Sequence, residues 1–489
     1  MSAQPQYSEE RAKQGTKQRA RQSAEPPGPK PLPLLGSLPE LRRNPMEFYA
    51  RLARDYGGFS RFYYGRKPTF LAASPESIKE LLVDKREIYV KNTRYAAIRR
   101  AIGNGLLNSE GETWKKQRRC TQNILNRKAI RDQVAEAAEV IAPELERWQS
   151  AAKSGTAIDI EPDLTRMVQL LIGQWVLGSQ YARYGGQVTE LVAAVRQAWP
   201  EPPRSIWASL KPPPLLRLRK LESLLEKLDE VVYAAIRGQR ESGSVDFSLL
   251  SGLARAGVEE GQGFSDAELR DQLLTAYHAG FETSASNLTF LFYELYHHPE
   301  IRQRLHREVD DVLGSRLPES GDITKLEYAR CCLSETLRLY PPAYNFTRVA
   351  LEENTLSGYA VPKGSMVIVS PYATHRIEEL FPDPLTFDPE RFRPEAVEGR
   401  SQFAYIPFGA GHRFCVGQGL AEVQTKVIAS MICQRFELDC VSDRPLETQA
   451  GTVMRPRGGM PMLVRARHPA SAPISSSAAS AAAPDTESA

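Results

Sequence analysis

The chain lacks any cysteine pattern that builds structure. Its 489 residues include six cysteines, Cys120, Cys331, Cys332, Cys415, Cys433 and Cys440. They are too sparse for a disulfide framework and contain no Cys-x-x-Cys pair of the kind used in zinc or dithiol chemistry. That usage fits a reducing, cytoplasmic compartment. Long hydrophobic runs are missing too: stretches such as Met167 to Gly178 and Phe290 to Tyr296 are short or broken by polar residues. They fall below the ~18 consecutive apolar residues of a membrane span, so no integral membrane segment is expected. Charge of one sign is also scarce. The 63 basic and 59 acidic residues leave +4, which gives no ground for nucleic-acid binding. Internal repeats, long Gly/Ser linkers, a dinucleotide fingerprint and the four-cysteine spacing of an iron–sulfur cluster are all absent.

What is present is an average globular composition, 42% apolar and 25% charged, enough for a large core. Length alone suggests about three domains, but without linkers one continuous fold over 26–467 is the simpler reading. Residues 1–25 form a basic, polar tail and residues 468–489 an Ala/Ser/Pro tail, both expected to be disordered. A targeting or membrane-surface element is the other reading of the basic arm. Pro26-Pro27-Gly28-Pro29 through Leu35-Gly36 reads as a stiff extended strap, because each proline fixes φ and biases its predecessor away from helix.

Helical periodicity predominates. Leu218, Leu221, Leu225, Leu228, Val232 and Ile236 define a helix over Leu215 to Arg240, after prolines around Trp207. Ser265 and Glu268 form a capping-box pattern that opens a helix reaching about His298, where Pro299 stops it. Strand-type segments lie near Arg61 to Ala72, Val349 to Val369 and Gly451 to Val464. The expected class is mainly α with minor β-sheet.

Three motifs carry chemistry. In Phe408-Gly409-Ala410-Gly411-His412-Arg413-Phe414-Cys415-Val416-Gly417, a cysteine sits in a Gly-rich loop beside a cation, where a thiolate is stabilised and backbone can approach a flat group. A small buried cysteine is the bland alternative. In Glu335-Thr336-Leu337-Arg338 the charged pair shares one helix face. Ala276, Ala279, Gly280 and Thr283 recur as a stripe of small side chains on an otherwise bulky helix, which suits either a flat ligand or close helix packing.

The first run resembles, at every specified position, the cysteine-ligand loop of the cytochromes P450, Phe-x-x-Gly-x-Arg-x-Cys-x-Gly. The resemblance extends over about Pro26 to Arg467 and implies a cytochrome P450 fold enclosing one haem b. By it Cys415 is the axial thiolate of the haem iron, whose electron donation favours O–O cleavage. Phe408 packs near the thiolate and Arg413 pairs with a propionate. Glu335 and Arg338 form a buried structural set with Arg391. Ala279, Gly280, Glu282 and Thr283 match the oxygen-activation motif, with Thr283 the hydroxyl that assists O2 and Glu282 the acid that relays protons. Trp114, Arg118 and Arg348 fall where propionate-binding residues are expected, and His375 follows family pattern or is a satisfied loop histidine.

The function implied is an O2-dependent monooxygenase that hydroxylates or epoxidises an apolar lipid, terpenoid or polyketide-like molecule. Tyr95 to Leu107, the stretch near Trp207, Ala276 to Thr283, Ala343 to Phe346 and Thr452 to Met454 are expected to face the substrate. Electrons would come from a separate ferredoxin or flavodoxin with its NAD(P)H reductase, docking on Lys115, Lys116, Arg118 and Arg119. A cytoplasmic monomer is expected. A peroxygenase or isomerase is the first rival, counted against by the Glu282–Thr283 pair, and a non-catalytic haem sensor the second.

Overall fold

The computed structural model describes residues 25–91, 95–199, 215–256, 263–442 and 445–467, with the side chains of 95–98 left aside. The expectations for the tails 1–24 and 468–489 and for the stretch near Trp207 lie outside these residues.

The helices that build the interior are α1 (Gly111–Ile124), α2 (Val134–Ser154), α3 (Ile160–Leu177), α4 (Tyr181–Ala198), α5 (Leu215–Ser242), α6 (Asp266–His297), α7 (Glu327–Leu339) and α8 (Gln418–Arg435). Helix α6 is the axis. The expected capping box is formed: Ser265 Oγ accepts from the Glu268 amide at 3.3 Å, and Glu268 Oε2 accepts from the Ser265 amide at 2.9 Å. Its 32 residues span about 48 Å at 1.5 Å per residue. Leu269, Leu273, Leu288, Phe290 and Leu291, on different sides of this rod, are all buried, as a helix surrounded by others requires. Helix α3 packs along it closely enough that a Cβ on Gly280 would come within 2.7 Å of Ile172 Cδ1.

The main sheet joins β1 (Phe59–Tyr64), β2 (Lys67–Ala72), β3 (Tyr89–Val90), β4 (Phe346–Ala350) and β5 (Met366–Val369) in the order β1-β2-β5-β4-β3. Only β2 and β5 run parallel, with Phe70 opposite Val367. Register matters at β4, where Arg348 lies opposite Val367. Alternation then places Phe346 and Arg348 on one face, and both line the central cavity. The segment Pro461–Ala466 pairs with Ala157–Asp159 and Phe436–Cys440 in a second sheet. Phe436–Cys440 was not legible from its mixed polarity.

The N-terminal strap ends in a tight turn at residues 32–36. Leu32 and Gly36 exchange backbone hydrogen bonds of 3.1 and 2.9 Å, and Gly36 also bridges to Tyr64 of β1. Leu34 holds φ +60°, a left-handed conformation that costs an L-residue about 1 kcal/mol.

Candidate active site

A cavity of 430 Å³ lies between α1, α6, α7 and the loop that precedes α8. Ala276, Ala279, Gly280 and Thr283 form its wall on α6, and Phe408, Arg413 and Cys415 face it from the loop. The two motifs, far apart in sequence, thus meet across one space. The loop shape depends on two left-handed glycines, Gly409 (φ +74°) and Gly411 (φ +69°). At Gly411 a Cβ would also lie 2.5 Å from the Leu82 carbonyl oxygen. The Cys415 amide donates to the Phe408 carbonyl at 3.0 Å, which fixes the loop closure.

Cys415 opens onto the cavity while sitting deep in the protein. Burial pushes its thiol up, against the lowering effect of the Gly417 amide, the Arg118 guanidinium and the Gln418 amide. The cation beside the sulfur is therefore Arg118, reaching over from α1 with Nη1 donating to the Phe414 carbonyl at 2.5 Å. Arg413, the expected neighbour, faces elsewhere. It donates to the Ser109 carbonyl at 3.0 Å, pairs with Glu110 and stacks 4.0 Å over the Trp114 ring.

Cations crowd this end of the cavity. Lys91, Arg118, Arg348 and Arg413 all line it, with Glu110 as the carboxylate among them. Burial first, then Arg413 and Arg348, push the Lys91 ammonium down to about 7. Burial likewise brings Arg413 down to about 10, with Arg348 and Arg118 acting in the same direction and Glu110 opposing. Such a cluster is strained unless an anion joins it. A flat dianionic group with a metal at its centre fits the donor set: positive charge at the rim, an open sulfur below and small residues above. A coordinating thiol gives up its proton outright to a metal.

Thr283 Oγ1 donates to the Ala279 carbonyl at 2.9 Å, so the hydroxyl is parked on its own helix beside the cavity. Glu282 is turned to the neighbouring face and does not line the cavity. Its Oε1 accepts from Arg196 Nε of α4 at 3.0 Å, and Arg196 also reaches Glu161 of α3 at 3.6 Å. His278, one turn before Glu282, is pushed down by burial.

Beneath the cavity the Glu335–Arg338 pair is fully buried, with contacts of 2.7 and 2.8 Å. Arg391 approaches Glu335 at 3.5 Å, as expected. Arg338 also donates to the carbonyls of His375, Pro384 and Thr386. His375 is a satisfied structural residue. Its Nδ1 bonds the Arg338 carbonyl at 3.1 Å and its Nε2 accepts from the Ile406 amide at 2.9 Å, tying α7 to the chain that enters the cysteine loop.

Several expectations need correction. Tyr344, Asn345, Thr452, Val453 and Met454 are not among the described residues lining the cavity. Met454 packs with Met46 and Phe290, its amide bonding the Pro342 carbonyl, and Tyr344 borders the same cluster. Ala343, Phe346, Leu106 and Leu107 do face the cavity. Lys116 is not a free docking cation, because it bonds the Gly263 carbonyl and Glu268 and lies 4.4 Å over the Phe264 ring. Lys115 pairs with Glu112. Lys91, Glu110 and Arg196 escaped sequence reasoning, since none stands in a motif and each acts through a partner distant in the chain.

The family model described as Cytochrome P450 matches residues 26–462. Cyclooctat-9-en-7-ol 5-monooxygenase of Streptomyces melanosporofaciens is 33% identical over 84% of this chain and 88% of its own length. Pentalenene oxygenase of Streptomyces avermitilis is 30% identical over 88% of this chain and 95% of its own length. Among solved structures, the crystal structure of the cytochrome P450DA heme domain superposes with a TM-score of 0.82 at 25% identity, covering 92% of this chain and 99% of that one.

Proposed function

The chain belongs to the cytochrome P450 family, a haem-thiolate monooxygenase that carries haem b and acts on apolar substrates with O2 and redox-partner electrons, and from that premise we propose that Cys415 is its iron ligand and a cyclic terpenoid its substrate. The observation that carries the site assignment is the meeting of Cys415, the small-residue stripe and the cation cluster around one cavity.

When bound, haem b supplies the activation of O2; the protein supplies position, charge and protons. Arg348, Arg413, Lys91 and Trp114 would hold the haem's carboxylates, and Arg118 would serve both these and the sulfur. Phe408 shields the sulfur side. Ala279 and Gly280 keep the α6 wall low beside the space a flat ring would take, and Gly280 also lets Ile172 of α3 come close. Thr283 can turn its hydroxyl from the Ala279 carbonyl into the cavity and hold a proton at Oγ1 for O2. Glu282, kept by Arg196 on the outer side of α6, takes a proton from solvent once that pair opens and passes it toward Thr283.

The terpenoid assignment draws on relatives named for oxidising cyclooctat-9-en-7-ol and pentalenene, together with the apolar wall of Leu106, Leu107, Ala276, Ala343 and Phe346. For the electron donor we favour an acidic ferredoxin or flavodoxin. The cations available to it are Arg119 on α1 and Arg127, Lys128 and Arg131, all exposed. The last three belong to the Arg127–Asp132 helix, whose buried Ile130 packs over Gly419, four residues after Cys415.

Spectral titration of the ferric holoprotein tests the substrate class: a saturable shift is expected with cyclic terpene hydrocarbons or alcohols. A response confined to fatty acids or macrolactones overturns the terpenoid reading. Cys415→Ser should erase the thiolate-type band of the reduced carbon monoxide complex, and its persistence would refute the ligand assignment. Thr283→Ala should lower product formation on the order of 10²-fold while reductant is still consumed.

A further inference from the structure

We propose that a second cavity, which shares Trp175 and Leu420 with the haem cavity as lining, is a binding site for a small neutral alcohol. It measures 390 Å³ and lies where α2, the end of α3, the start of α4 and α8 meet. Ile130, Ala137, Leu171 and Val423 supply apolar wall, while Glu136, Ser179 and Ala182 are exposed and mark its mouth. The volume falls near the low end of the ~300–1,000 Å³ of ligand sites, so the occupant is small.

Two polar groups are stranded here. Trp175 and Gln424 are each 5% exposed, and both line this cavity. Neither the Trp175 Nε1 donor nor the Gln424 Oε1 acceptor has a hydrogen-bond partner among the described residues. Buried polar groups are normally paired, and leaving one unmade is costly. Other polar groups around the same space are engaged. Asp246 accepts from the amides of Ser179 and Ser248 at 2.7 and 3.0 Å, and Gln133 Nε2 donates to the Phe247 carbonyl at 3.4 Å. The two stranded groups are thus left for a ligand that supplies both missing bonds.

The pair sets the chemistry. An indole N–H only donates, so the atom it meets must accept; an amide oxygen only accepts, so its partner must donate. One hydroxyl does both. A cation has no lone pair to offer Trp175. An anion finds no Lys, Arg or His among the described lining residues, and Glu136 and Asp246 repel it. The apolar wall then takes the carbon skeleton. A monooxygenase acting on apolar substrates releases molecules of this class, and the site would take them up outside the haem cavity. That source rests on the monooxygenase reading, whereas the stranded pair does not. The occupant would also touch Ile130, whose helix carries Arg127, Lys128 and Arg131.

Calorimetric titration of the ferric holoprotein, its haem cavity blocked by a bulky iron-binding azole, tests the site with menthol as probe and menthyl methyl ether as control. The azole's shift of the haem band reports separately on the haem reading, so the two can fail independently. One menthol should bind per blocked protein. The ether accepts but cannot donate, and should bind about tenfold more weakly. Gln424 does not line the haem cavity, and Gln424→Met keeps the buried volume. That variant should bring menthol down to the ether's affinity without lowering thermal stability. Trp175→Phe should weaken alcohol and ether alike. No binding up to the solubility limit of menthol, the result for a cavity that holds water only, would overturn the proposal. So would equal affinity for alcohol and ether, or menthol affinity unchanged in Gln424→Met.

Discussion

Lys91 shows how one residue can report on a site. Burial and the neighbouring arginines bring its ammonium down to about 7, so at pH 8 it is mostly neutral in the ligand-free protein. An anionic group arriving among these cations restores the charged form. Haem binding at pH 8 should therefore take up about one proton at Lys91, offsetting the proton that Cys415 gives up on coordination. In the ligand-free protein the sign is opposite: because the folded state binds fewer protons, stability rises between about pH 7 and the ordinary lysine value of ~10.5. Calorimetry in two buffers of different ionisation enthalpy checks this. Lys91→Met should release about one proton more than the parent on binding haem, and equal proton exchange in both proteins would refute it. Sequence could not single out Lys91, because the groups that perturb it, Arg348 and Arg413, are hundreds of residues away. Cys415, by contrast, was legible at once, since its glycines and its sulfur lie in ten consecutive positions.

Among the elements, α7 carries the heaviest electrostatic burden. Glu335 has no solvent contact and accepts from Arg338 and from the Asp388 amide at 2.9 Å. Removing one partner strands the other charge in the interior. Glu335→Ala should cost about 3–5 kcal/mol, seen as a lower denaturant midpoint and loss of bound haem; an unfolding free energy within about 1 kcal/mol of the parent would show that water enters and relieves the charge. The pair itself was readable at helical spacing, and Arg391 was anticipated from its loop motif. What spacing could not reveal was the role of His375 as the clasp between α7 and Ile406. The small-residue stripe on α6 turned out to serve both readings weighed for it: Ala279 faces the cavity, whereas Gly280 also admits Ile172 of α3. The assignment of Thr452 to Met454 to the cavity missed because a short β-type segment announces its existence but not its neighbours.

At the scale of the molecule, the near-neutral total charge hides opposed local arrangements. Lys116 joins α1 to the start of α6, while Arg119, Arg127, Lys128 and Arg131 stay exposed near the cysteine loop. Reversing Arg127, Lys128 and Arg131 to Glu should slow reduction by an acidic donor about tenfold at low salt and flatten the salt dependence, measured by stopped-flow. Lys116→Met should leave that slope unchanged, and an unaltered rate in the triple variant would place the donor elsewhere. The fold class, the long axial helix and the chemistry of the cysteine loop were all foreseeable, because each rests on local pattern. The cavity rim was not, because it is assembled from β3, α1, β4 and the cysteine loop. That assembly has a consequence in time. Arg413 donates to the Ser109 carbonyl across 304 positions of chain, and at 5–20 residues per second a ribosome delivers the second partner roughly 15–60 s after the first. A nascent chain can complete its early strands and helices long before it can grip the prosthetic group. Capture therefore belongs to the last moments of synthesis or after release, and any shortage of haem would leave a nearly finished protein holding four cations crowded around Glu110.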